Sequence, residues 1–134
     1  MADQKYLRTN LWPAENAHFR ANPHVAGRAA EDGKVTLNPY SPLGGDERAA
    51  VYQNELARLL MRGQLGGGGF RPAFDLTPAQ NAMLDGTDYA QAPIQDRRET
   101  IAARMVSGDP SAGEPTGDQW AFKQALVRAL RGYQ

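Results

Sequence analysis

Cysteine is absent from the whole 134-residue chain, so disulfides and thiolate metal sites are excluded. Net charge is absent as well. Fifteen Lys and Arg balance 15 Asp and Glu, which removes the bulk electrostatic case for nucleic acid or an anionic membrane as partner. No run approaches the roughly 18 apolar residues of a membrane span. The opening stretch MADQKYLRTNLWPAEN lacks the apolar centre of a signal peptide. A soluble chain, cytoplasmic at synthesis, is the expectation. Large aliphatic side chains are scarce: Leu, Ile, Val and Phe make 23 of 134 residues, while alanine supplies 21 of the 55 hydrophobic ones. A net charge of zero argues against disorder all the same. Burying a Leu or Phe contributes about 1.5–3 kcal/mol, against about 1–2 kcal/mol of backbone entropy for each ordered residue. A thin core that another chain helps to complete is the expectation from composition. The length fits one domain, residues 1–134, with residues 1–40 either part of it or an extended N-terminal arm.

What is present is mostly helical pattern. The longest stretch, Asp46 to Arg62, places Ala49, Tyr52, Leu56, Leu59 and Leu60 on one face and Glu47, Asn54 and Arg58 opposite, as a solvated back. Gly44 serves as N-cap, Asp46 and Glu47 suit the first turn, and Gly63 suits a left-handed close. Pro13 opens a short helix through Arg20, anchored by Trp12 and Phe19 and stopped at Asn22-Pro23. Thr77-Pro78-Ala79-Gln80 and Thr116-Gly117-Asp118-Gln119 are two N-terminal capping signatures. The first starts a short helix with Met83 and Leu84 inward and Gly86 as its end. The second starts a last helix to Arg131. Between them, Ile94, Ile101 and Met105 mark a helix to Ser107, halted by Gly108-Asp109-Pro110. The one strand signal is KVTL after the Asp32-Gly33 turn, expected to pair with YLRTNL, to pair with another chain, or to stay extended. HVAGRAAEDG reads as a loop with one helical turn. The fold class is thus mainly α, about five helices joined by long loops, with at most one short strand or hairpin.

The search for chemistry finds no complete motif. The Gly66-to-Gly69 run lacks the strand before it and the Lys-Ser/Thr after it that a phosphate loop needs, so it reads as a linker or a close-packing loop. His18 and His24 are separated by Pro23 and miss the i, i+4 spacing of a helical metal pair, though Glu15 lies within reach of His18. Dispersed carboxylates remain, among them Glu47, Glu55, Asp75, Asp85, Asp96, Glu99 and Asp109; Glu55, beside the apolar face of the main helix, is the least explained, and an ion pair with a nearby Arg is its simplest role. No G-x-S-x-G elbow supports a serine nucleophile. Arg97, Arg98, Arg104, Arg128 and Arg131 read as solvated helix backs, since Asp96 and Glu99 dilute any basic patch. No cofactor and no metal is expected.

The pieces NPYSPLGGDERAAVYQNELARLLM, FDLTPAQ, DGTDYA and RRETIAARMVSGDPSAG together resemble small proteins encoded by bacteriophages and prophages of proteobacteria. The similarity spans Asn38 to Gly113 and carries no defined activity and no functional residue. It implies a small virion-associated or accessory protein, comparable to head-to-tail adaptors, decoration proteins or tail-fibre attachment proteins. The expectation is a non-enzymatic protein whose partners are other proteins, a phage structural protein or further copies of itself. The docking residues expected are Trp120, Phe122, Leu126 and Leu130 on the last helix, Val35 and Leu37 on the strand, and Phe70 and Phe74 in the loop. The alternative is a small lytic or nucleotide-acting enzyme whose site is assembled from dispersed carboxylates and His; a concave pocket with a perturbed acid would favour it.

Overall fold

The computed structural model describes residues 5–65 and 69–133. Gly66–Gly68, most of the glycine run expected to be a loop, lies outside them. The main helix, α2 (Gly45–Met61), starts at Gly44 and ends as its sequence demands: Arg62 leads into Gly63 at φ 76°, and the amides of Gly63 and Gln64 donate back to Leu60 O and Leu59 O. Its C-terminal third, residues 56–61, is buried on every side, while Ala49 near its start is exposed. The reason is what packs on it. A hairpin covers one side, and α4 (Ile94–Val106) and α5 (Gly117–Leu130) cover others. Arg58, expected on a solvated back, is therefore buried at the α2–α4 seam. Among the described residues two shorter helices, α1 (Pro13–Ala21) and α3 (Pro78–Asp85), complete a mainly α fold with one two-stranded sheet. No described helix is long and apolar enough to cross a membrane.

The hairpin corrects the reading of HVAGRAAEDG. Its Gly27–Ala29 forms β1, antiparallel to β2 (Val35–Leu37), with Gly27 opposite Leu37 and Ala29 opposite Val35. The predicted Asp32-Gly33 turn joins them, with Gly33 at φ 74° and the Lys34 amide donating to Asp32 Oδ1. Gly27 is required by packing, because a Cβ there would sit 2.7 Å from Val51 Cγ1 of α2. YLRTNL does join β2, on its other side: the Val35 amide donates to Tyr6 O and the Arg8 amide to Val35 O. The hairpin packs on α2, with Val35 fully buried in the core, and Phe19 is fully buried in the region around Asn38. Asn38, next to a chain-breaking proline, ties this region together. Its side-chain amide donates to Phe19 O, Asn22 O and Val25 O, and its Oδ1 accepts from the Tyr40 amide.

Both Thr-x-x-Gln signatures form capping boxes, with Thr77 Oγ1 accepting from the Gln80 amide at 3.1 Å and Thr116 Oγ1 from the Gln119 amide at 3.2 Å. They are also joined to each other. Gln80 Nε2 donates to Gln119 Oε1 at 2.8 Å, and Gln119 Nε2 donates to Gln80 Oε1 at 2.7 Å. Each Oε1 also accepts from its own N-cap amide, and the second amide protons reach Ala112 O and Asp75 O. The two helix starts are locked face to face by fully satisfied side chains, both at 0% exposure.

Candidate functional site

Helix α5 has one face turned away from the core. Trp120, Lys123, Gln124, Val127, Arg128 and Arg131 stand at i, i+3, i+4, i+7, i+8 and i+11, a single stripe bordering a shallow hollow of about 350 Å³. Trp120 is 48% exposed and its ring lies under Lys123 Nζ, 4.9 Å from the centroid. No salt bridge among the described residues engages Lys123, Arg128 or Arg131. The stripe therefore presents an aromatic anchor, an aliphatic centre and positive charge that no described carboxylate pairs with.

A second concavity, about 470 Å³, lies where the first half of α2 meets β1 and the turn after α4. Ala26, Gly27 and Val51 form its apolar floor, and Glu47, Glu55 and Asp109 stand around it. Burial pushes the Glu55 carboxyl above the ordinary glutamate value, against the opposing pull of Arg58, Arg62 and the Ala29 amide. Arg58 Nε is 3.8 Å from Glu55, the ion pair expected from sequence. Behind it Glu99, 1% exposed, receives Arg62 at 2.7 Å and Arg58 at 3.4 Å. From sequence Glu99 is one of the dispersed carboxylates and a diluting charge among arginines; its burial and its two arginine partners follow only from the α2–α4 packing. The helix-back reading fails for Arg97 too, whose guanidinium is held by Asn81, Asp85 and the carbonyls of Tyr89 and Ala90.

The expected docking residues separate sharply. Val35 and Leu126 at 0%, Leu130 at 2% and Phe74 at 7% exposure belong to this chain's own core. Phe70 stacks on Phe122 at 5.1 Å and Phe74 meets it edge-on at 5.5 Å, so these three clasp the loop before α3 onto α5. Leu37 is half-buried against the core beside Gly27. Trp120 alone of the eight is exposed. The strand is paired on both sides, which removes the reading of KVTL as an open edge for another chain's sheet. His18 and His24 are exposed, Glu15 pairs with Arg8 rather than His18, and no group of potential metal ligands gathers among the described residues. No known protein family, curated protein or solved structure matches this chain.

Proposed function

We propose that this chain is a non-enzymatic interaction protein that docks on a larger assembly through the α5 stripe, as a small component of a phage particle. One observation carries the reading: a half-exposed tryptophan set among cations that no described carboxylate pairs with, on a helix face that the described residues leave uncovered. Trp and Arg are the residue types that anchor protein interfaces, since they combine large contact area with charge-assisted hydrogen bonds. The partner surface that fits is acidic with an apolar centre. The virion setting is carried over from the resemblance read in the sequence of Asn38–Gly113. The test is a mass-spectrometric inventory of purified particles, followed by binding of the chain to particle proteins with and without Trp120→Ala. Copies in stoichiometric number and loss of binding in the variant support the reading; absence from particles and no binding by the parent chain reject it.

A catalytic reading has one observation in its favour, the buried Glu55 carboxyl at the wall of the α2 cavity. Trp120→Ala separates the two readings. Partner binding through α5 is lost in that variant, whereas turnover at Glu55, whose cavity Trp120 does not line, is kept.

A further inference from the structure

Two faces of this chain complement one another. Along the cavity wall on α2, Glu47, Val51 and Glu55 recur every four residues. Along the α5 stripe, Lys123, Val127 and Arg131 recur with the same spacing. Each triplet makes a row about 12 Å long with a charge, an apolar centre and a charge. The signs are opposite. Among the described residues, the α2 cavity has no cation in its lining and the α5 hollow has no anion. No salt bridge among the described residues engages Glu47, Asp109, Lys123, Arg128 or Arg131.

We propose that the partner of the α5 stripe is the α2 cavity of a second copy of this chain, with Lys123 against Glu47, Val127 against Val51 and Arg131 against Glu55. The inference rests on α5 being the docking face and adds the identity of what it docks into. The two helices run parallel in this contact. That direction brings Trp120 over Leu43 at the end of the cavity, whereas the reverse brings it over the segment 56–61 that is already buried. An arriving cation also offsets the burial that disfavours an ionised Glu55, which Arg58 faces only at 3.8 Å. Zero net charge leaves no overall repulsion between copies. Because the contact joins two different faces, repetition closes it into a ring or extends it as a filament.

The test uses the full chain in sedimentation equilibrium. The parent should associate in a concentration-dependent way that weakens with added salt. Glu47→Lys and Lys123→Glu, each with circular dichroism to check folding, should each weaken association about tenfold or more. Mixing the two variants should restore it, because the reversed charges meet each other and the native faces meet as before. Glu47→Gln, which removes the charge without reversing it, should fall between. A parent chain that stays monomeric up to about 1 mM overturns the proposal, as does a mixture that fails to restore association. A monomeric parent whose Lys123→Glu variant loses binding to a particle protein overturns self-docking while leaving the α5 reading intact. Self-association indifferent to Lys123→Glu overturns docking of α5 into a second copy and leaves the α5 reading to the particle-binding test.

Discussion

At the scale of single residues, the surprise is which side chains fill the interior. Among the largest fully buried ones are Gln80, Gln119, Glu99 and Asn38, beside Phe19, Leu56 and Leu59. The shortage of large aliphatics is met by polar groups whose hydrogen bonds are complete, which is the condition under which burial of an amide is tolerated. Composition alone therefore no longer calls for a partner to finish the core. The Gln80–Gln119 pair gives this a number. Gln80→Leu or Gln119→Leu strands the other buried amide and should cost about 1–3 kcal/mol. The double variant should cost less than the two together by about 0.5–3 kcal/mol, measured by urea unfolding in a double-mutant cycle. Additive losses would mean that the amides do not meet. Glu55 makes a second test at this scale. Its carboxyl titrates higher in the folded chain than in the unfolded one, so the folded state holds the proton more tightly. Its contribution is fully present below the ordinary glutamate value and is lost as pH rises through the raised one. Glu55→Gln should flatten that part of the stability–pH curve and make the chain more stable than the parent at neutral pH. A variant whose curve keeps the parent's slope would assign the fall to another group.

At the scale of elements, what could be read in advance was local. Helix ends were legible at Thr77, Thr116, Gly63 and Gly108 because capping and left-handed glycine depend on a few adjacent residues. The hairpin was half legible. Val35 and Leu37 alternate visibly, but Gly27–Ala29 has no apolar period, and its pairing with β2 and the close approach of Gly27 to Val51 are tertiary features. Helical period alone misjudged Arg58 and Ile94 in opposite directions: Arg58 is covered by α4, while Ile94 at the first turn of α4 is 52% exposed. Which face of a helix is buried depends on the neighbours, and a long helix with three neighbours has no single back. The strongest expectation at this scale concerns α2. Leu59 is fully buried where the segment 56–61 is enclosed, so Leu59→Ala should cost about 2–5 kcal/mol. A thermal midpoint close to the parent's would contradict the packing around it.

At the scale of the whole molecule, the question is which surfaces are left over once the chain has satisfied itself. The last helix was expected to dock through Trp120, Phe122, Leu126 and Leu130 together, since all four are large and apolar. No pattern within α5 reveals that Phe70 and Phe74, about fifty residues earlier, return to cover Phe122. With that contact in place the helix divides into an inner face that holds the domain and an outer stripe that does not. The division predicts opposite behaviour for two aromatic truncations. Phe122→Ala opens the aromatic clasp and, being half-buried, should cost about 3 kcal/mol, the low end for a core Phe. Trp120→Ala removes a side chain that is 48% exposed and should leave stability within about 0.5 kcal/mol, the range of ordinary surface changes. Binding should reverse the order: Trp120→Ala abolishes measurable capture of the partner by the folded chain, while Phe122→Ala, assayed below its own melting temperature, retains it. Thermal unfolding and a titration against the partner read the two effects separately. Equal losses of stability in both variants would return Trp120 to the fold and leave the α5 stripe without a role.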